Sequence, residues 1–111
     1  RCSPVQQRIA LGWIQKLGLG TSANRPLCEI SASDQRIVLL ARALVKTPRL
    51  LILDELCQGF DRTTRNHVLE LLDNLVRKTE TTIIYVTHQP AEMPGCITNI
   101  LALKQGRALI R

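Results

Sequence analysis

Two adjacent carboxylates, Asp54 and Glu55, directly follow the aliphatic run Leu50-Leu51-Ile52-Leu53. The run has no polar alternation and is too short for a helix, which predicts a strand buried on both faces. In an open α/β sheet, ligands bind at the carboxyl ends of the strands. A carboxylate at that edge could bind Mg²⁺ or act on a water molecule. A strand that merely ends in an acidic turn would have the same local pattern.

A second reactive group, His88, follows the β-branched run of residues 81–87, which predicts another strand. Between the two runs, residues 68–76 carry apolar side chains at three- and four-residue spacing, which is typical of an amphipathic helix. Either Asp61 or Thr63 could cap that helix. Strand, helix and strand form a right-handed βαβ unit. We therefore expect His88 at the same sheet edge as the two carboxylates.

A third candidate is the start of a helix next to Ser31. Ser31 and Asp34 form a capping-box pattern, and we expect the helix to run to about Lys46, where Thr47-Pro48 ends it. The N-terminus of a helix can bind phosphate through its free N–H groups and its dipole. A serine that only caps the helix is the commoner case. The residues alone leave both interpretations open.

The flanking segments predict positioning elements without chemistry of their own. Ser3 is expected to cap a first helix that ends near Gly18, and a loop-like connector follows it. Near the other end, residues 99–103 and 107–110 predict two short strands in a hairpin around a glycine-bearing turn.

Composition narrows the classes of protein. The net charge is +6, yet the basic residues are scattered and aromatics are only 3%, so a nucleic-acid partner is possible but weakly indicated. Phosphate chemistry would suit this charge equally well. The four cysteines have no C-x-x-C spacing, which argues against zinc or a secreted disulfide framework and favours free thiols. No apolar run is long enough to span a membrane. We expect a cytoplasmic location.

Four motifs, in order, resemble those of ABC-type ATPases. Residues 30–44, which end in Ala-Arg-Ala-Leu, resemble the signature helix, and residues 50–55 resemble the Walker B strand. Residues 58–61 resemble the D-loop, and residues 85–88 resemble the segment with the switch histidine. The D-loop and the tail after His88 look closest to the tandem ATP-binding proteins associated with molybdate transport or photorepair.

The resemblance implies an α/β fold, part of a P-loop NTPase (RecA-like) three-layer architecture with parallel strands. Residues 1–29 would be the end of a helical subdomain and its connector. Residues 30–111 would be the C-terminal half of the ATPase domain, closed by the terminal hairpin. The implied cofactors are ATP and Mg²⁺.

The resemblance also implies roles for individual residues. Asp54 would hold Mg²⁺ through water, Glu55 would polarise the attacking water, and His88 would contact the γ-phosphate. A second ABC ATPase domain would present its ATP to the start of the signature helix, and Asp61 would cross the interface between the domains. The residues implied at that helix start are Ser31, Ser33, Asp34 and Gln35.

Some positions depart from the family pattern. Ala32 and Ser33 replace two glycines, which permit close approach of phosphate and a positive φ, so a weaker γ-phosphate contact is expected. Leu56 replaces the usual proline. No G-x-x-x-x-G-K-[ST] motif occurs in the sequence, which begins at Arg1. We therefore expect a C-terminal fragment that lacks the N-terminal half with the P-loop, does not hydrolyse ATP alone, and exposes residues 83–87 as an apolar edge.

The sequence is compatible with three functions. The first is an ATPase subunit that energises an importer, working with a membrane permease at the inner face of the cell membrane. The second is a non-transport ABC ATPase in DNA repair or translation. The third is a non-catalytic interaction module that lends its signature face to an intact partner. No residue names the transported substrate.

Overall fold

A computed structural model of the chain describes residues 3–18 and 24–110. The predicted connector falls largely at residues 19–23 and, like Arg1, Cys2 and Arg111, lies outside the described residues. The helices are α1 (Pro4–Lys16), α2 (Ala32–Leu44) and α3 (Arg62–Lys78), with short 3₁₀ turns at Leu27–Glu29 and Pro90–Glu92. The strands are β1 (Leu50–Asp54), β2 (Thr82–Val86), β3 (Leu101–Lys104) and β4 (Arg107–Ile110).

Strands β1 and β2 are parallel and hydrogen-bonded, with Leu50 opposite Thr82 and Asp54 opposite Val86. Helix α3 connects them, so the predicted βαβ unit is confirmed. Strands β3 and β4 form the predicted hairpin. Its two turn residues, Gln105 and Gly106, have φ of 51° and 77°. Positive φ at both central positions matches the twist of the strands they join.

Each helix begins at a side-chain cap, as the sequence predicts. Ser3 forms a reciprocal capping box with Gln6 at α1. At α2 the Ser31 hydroxyl accepts a hydrogen bond from the Asp34 amide at 3.1 Å. At α3 the cap is Asp61, whose carboxylate accepts one from the Thr64 amide at 2.8 Å. Helix α2 ends two residues earlier than expected, at Leu44, and the chain then turns.

The core is one hydrophobic cluster between the helices and one face of the β1–β2 sheet. Val68 and Leu72 of α3 are fully buried in it, as is Leu44 of α2. They are the inward-facing positions of two amphipathic helices. The core therefore fixes both helices against the strands that carry Asp54 and His88.

The prediction that β1 is buried on both faces was wrong. Leu51 and Leu53 are 4% and 7% exposed, whereas Leu50 and Ile52 are 52% and 63% exposed. Side chains alternate between the two faces of a strand. The helices cover the face of Leu51 and Leu53, and no described element covers the other. An aliphatic run cannot tell which of its two faces is covered.

The expectation of free thiols holds for the three described cysteines, Cys28, Cys57 and Cys96. Cys2 lies outside the described residues. No helix in the described part of the chain is long and apolar enough to cross a membrane.

Candidate active site

Glu55 and His88 meet at the carboxyl edge of the parallel sheet. Glu55 follows β1 directly, and His88 lies two residues beyond β2. Nδ1 of His88 is 2.8 Å from Oε1 of Glu55, and their side chains are 68% and 26% exposed. The second carboxylate oxygen, Oε2, is buried and has no hydrogen-bond partner among the described residues. The Glu55 side chain is partly exposed, and a carboxylate at this edge can act as a general base toward a bound water molecule.

The backbone of Glu55 is held in an unusual conformation. Its φ is 52°, in the left-handed region that costs a non-glycine residue about 1–2 kcal/mol. Its amide donates to the carbonyl of Val86 at 2.9 Å, which extends the β1–β2 pairing by one residue. The chain turns at this point, and the Glu55 carboxylate lies 2.8 Å from Nδ1 of His88.

Asp54 is the exposed last residue of β1. The described residues contain no group of three or more His, Cys, Asp or Glu side chains that could hold a metal ion. Mg²⁺ does not need such a group, because it keeps several waters and usually binds one or two carboxylates together with substrate phosphates. An exposed carboxylate at this edge fits that type of site. Asp54 is therefore the residue that would hold the ion.

The Glu55 contact perturbs the protonation of His88. The hydrogen bond to Glu55, together with the negative charge of that residue, raises the pKa of His88 above its usual value, and Glu92 adds to the effect. The histidine ring therefore holds its proton to a higher pH than an isolated histidine. A positively charged ring at the sheet edge would attract a phosphate group.

At the start of α2, the polar side chains of Ser31 and Gln35 are engaged in hydrogen bonds with the backbone. The Ser31 hydroxyl is engaged with the Asp34 amide, and Gln35 donates a hydrogen bond to the Ile30 carbonyl at 3.1 Å. Ser31 and Ala32 are exposed. Neither Ala32 nor Ser33 has a positive φ. Alanine and serine in place of two glycines therefore cause no backbone strain here, and this surface differs from a glycine pair by two Cβ atoms and the Ser33 hydroxyl.

The predicted site residues thus form separate groups within the described residues. Glu55 and His88 touch, and Asp54 precedes Glu55 at the same edge. Ser31 caps α2, its first turn carries Ser33, Asp34 and Gln35, and no described hydrogen bond joins these residues to the Glu55–His88 pair. Asp61 caps α3, and this contact lowers its pKa.

Sequence reasoning missed the residues that support Glu55 and His88. Arg36 of α2 donates hydrogen bonds to three carbonyls of the turn after β1. Cys57 of this turn lies 3.3 Å from the Tyr85 hydroxyl of β2, and burial raises the pKa of both groups. Glu92 is buried and lies 3.4 Å from the Thr87 hydroxyl. The Arg36 and Cys57 contacts join residues 19 to 28 positions apart in the chain, so no local motif signals them.

Comparison with known proteins identifies relatives of the chain. Residues 5–58 match the family model described as ABC transporter. The chain is 37% identical over 107 residues to the ABC transporter ATP-binding protein ModF of Escherichia coli, covering 96% of this chain and 22% of that protein. It is 32% identical over 106 residues to the molybdenum import ATP-binding protein ModC of Aromatoleum aromaticum, covering 96% of this chain and 27% of that protein. Other relatives of similar identity are named for import of Fe(3+) ions or aliphatic sulfonates.

The fold of the chain is also similar to that of a solved ABC transporter. The chain superposes with a TM-score of 0.80 on an ABC transporter structure in an inward-facing conformation, at 24% identity, covering 100% of this chain and 45% of that chain. The chain belongs to the family of ABC-type ATPases, and its fold is part of the P-loop NTPase domain of that family. It spans less than a third of the length of the two relatives described. None of these names points to photorepair, DNA repair or nucleic acid, so those expectations gain no support.

Proposed function

We propose that the chain is the part of an ABC-type ATP-binding subunit that activates the attacking water and contacts the γ-phosphate of ATP. The observation that carries this proposal is the 2.8 Å contact between Glu55 and His88, beside the exposed Asp54, at the carboxyl edge of parallel strands. Asp54 would hold Mg²⁺ through water. The metal would supply charge stabilisation for the phosphate oxygens.

Glu55 and His88 divide the remaining chemistry. The Glu55 carboxylate accepts a proton from the attacking water and orients it in line with the phosphorus atom. The ring of His88 faces the γ-phosphate, and Oε1 of Glu55 keeps that ring in place. Release of the γ-phosphate removes one partner of the ring, so His88 distinguishes ATP from ADP.

The start of α2 serves a different nucleotide. Residues Ser31, Ser33, Asp34 and Gln35 face the ATP held by a second ABC ATPase domain, and Asp61 lies at the interface. Ser31 and Ala32 are exposed and can be approached from solvent. The Asp34 carboxylate in the first turn opposes an incoming phosphate, so this half-site contacts the γ-phosphate weakly compared with a glycine-bearing signature.

The domain boundaries follow from this assignment. Residues 1–29 end a helical subdomain, and residues 30–111 form the C-terminal half of the ATPase domain. The P-loop that supplies most nucleotide affinity comes from an N-terminal half, and a membrane permease couples the ATPase to transport at the cytoplasmic face. The chain's match to less than half of a solved ABC transporter chain supports this organisation.

The proposed cargo is molybdate or a related oxyanion. This assignment is supported by the name and the 32% identity of the ModC relative. The ATPase does not contact the cargo in this scheme, so the chain's own residues do not select it. Uptake assays with molybdate, ferric ion and a sulfonate decide the cargo, since only one of them should depend on this protein.

The central test is Glu55→Gln in the natural polypeptide that contains these residues. We expect ATP turnover to fall by about 100-fold or more, because a general base contributes 10²- to 10⁴-fold, while ATP affinity stays within about twofold. Glu80→Gln, a change of an exposed carboxylate between α3 and β2, is the matched control and should leave turnover unchanged. Normal turnover in Glu55→Gln would instead indicate a non-catalytic interaction module.

A further inference from the structure

The turn that follows β1 is held by a side chain from α2. Nη1 of Arg36 lies 2.8 Å from the Glu55 carbonyl oxygen, 2.8 Å from that of Gln58 and 3.3 Å from that of Leu56. One guanidinium nitrogen therefore donates to three carbonyls that converge on a single point. Apart from sheet pairing and the turn's own bonds, no other described hydrogen bond reaches these three carbonyls.

This turn needs such a donor. Leu56 and Cys57 are buried, and the Glu55 and Leu56 carbonyls meet Arg36 in a partly buried position, where a carbonyl without a partner is costly. Glu55 is in the left-handed region, which ordinary residues leave unless the surroundings hold them there. A fixed, planar guanidinium that is always charged can serve several converging acceptors, whereas a lysine ammonium acts as a flexible point charge.

Glu55 is consequently fixed on both sides of its Cα atom. Its amide is bound to the Val86 carbonyl at 2.9 Å, and its own carbonyl is bound to Arg36 at 2.8 Å. With both peptide groups held, the side chain has little freedom beyond its own rotamers. In this arrangement Oε1 lies 2.8 Å from Nδ1 of His88.

We propose that Arg36 is a positioning residue for Glu55, and that it links the position of helix α2 to the aim of the carboxylate at His88. Arg36 lies one turn beyond the helix start that carries Ser31 and Asp34. Displacement of α2 therefore moves the donor that holds the turn. The catalytic consequence rests on the proposed function, whereas the effect on the Glu55–His88 contact does not.

The effect of Arg36 on the Glu55–His88 contact is tested by ¹⁵N NMR of the histidine rings, at a fixed pH, in the 111-residue chain. Glu55→Ala defines the ring signals of His88 without its partner. We expect Arg36→Met to shift the His88 signals more than halfway to those of Glu55→Ala, and Arg36→Lys to shift them partly. His67 is the other histidine of the chain and serves as the internal reference.

Arg42→Met is the matched control, because Arg42 is an exposed arginine of the same helix and makes no described contact with the turn. It should leave both histidine signals unchanged. Unchanged His88 signals in folded Arg36→Met would overturn the proposal. Failure of both Arg36→Met and Arg36→Lys to fold would also overturn it, since Arg36 would then act on stability alone.

Kinetics of the natural polypeptide separate this proposal from the proposed function. Arg36→Met should lower kcat by about 10- to 100-fold with KM within about twofold, as misplacement of a catalytic group does. Full activity of Arg36→Met beside an inactive Glu55→Gln would refute the positioning role only. If Glu55→Gln is fully active, the proposed function fails, and the ring signals still decide whether Arg36 positions Glu55.

Discussion

Neighbouring residues of β1 should lose very different amounts of stability on the same substitution. Ile52 is 63% exposed, whereas Leu53 is 7% exposed and belongs to the core cluster. We therefore compare Ile52→Thr with Leu53→Thr. Both substitutions introduce threonine into the same five-residue strand, so the strand propensity of the introduced residue is the same in the two variants.

The magnitudes follow from burial. Fully burying an isoleucine is worth about 1.5–3 kcal/mol, and only about a third of Ile52 is covered, so its replacement should lower the free energy of unfolding by at most about 1 kcal/mol. Truncating a buried leucine costs about 2–5 kcal/mol, and a buried hydroxyl adds to this. Leu53→Thr should therefore cost about 3 kcal/mol or more.

Urea denaturation at low protein concentration measures both changes, and light scattering measures association. The uncovered sheet face, formed by Leu50, Ile52, Ile84 and Val86, should make the isolated chain self-associate as concentration rises. Ile52→Thr should reduce that association. If Ile52→Thr costs as much as Leu53→Thr in the dilute chain, this face is covered within the monomer and the reasoning is refuted.

Four further outcomes are expected. His88 has a raised pKa, so its contribution to stability is fully present below about pH 6.5 and lost as pH rises through the folded value. The difference in unfolding free energy between wild type and His88→Gln should shrink from pH 5.5 to 8.5, and a difference that grows would contradict the assignment. Asp61 has a lowered pKa, so the advantage of wild type over Asp61→Asn should disappear as pH falls through the folded value, as measured by acid titration of α-helical circular dichroism. Gly12→Ala in α1 meets nothing within 4 Å and should stabilise by about 0.5–1 kcal/mol, whereas Gly106→Ala, at φ +77°, should destabilise by about 1 kcal/mol in urea titrations; equal effects would contradict this. The 111-residue chain alone should show no Mg²⁺-dependent ATP turnover, and turnover abolished by Glu55→Gln would overturn that.

The positions of the elements could be predicted because each depends on neighbouring residues. Caps such as Ser3 and Ser31 lie three residues from the amides they bind, and the periodicity of α3 lies within one helix. Burial could not be predicted in the same way. The aliphatic run of β1 is compatible with one covered face or two, and which occurs depends on the elements that pack against it.

The residues of the candidate site also differ in whether neighbouring residues are enough to predict them. Asp54, Glu55 and His88 could be placed at one edge because a parallel βαβ unit allows no other arrangement of strand ends. Arg36 could not, because its contacts with the turn span 19 to 22 residues and arise only when α2 packs on the sheet. The reactive groups of this site are thus encoded locally, and the residue that fixes their geometry is encoded by tertiary packing. Substitutions at Arg36 would therefore leave every family motif intact and still misdirect Glu55.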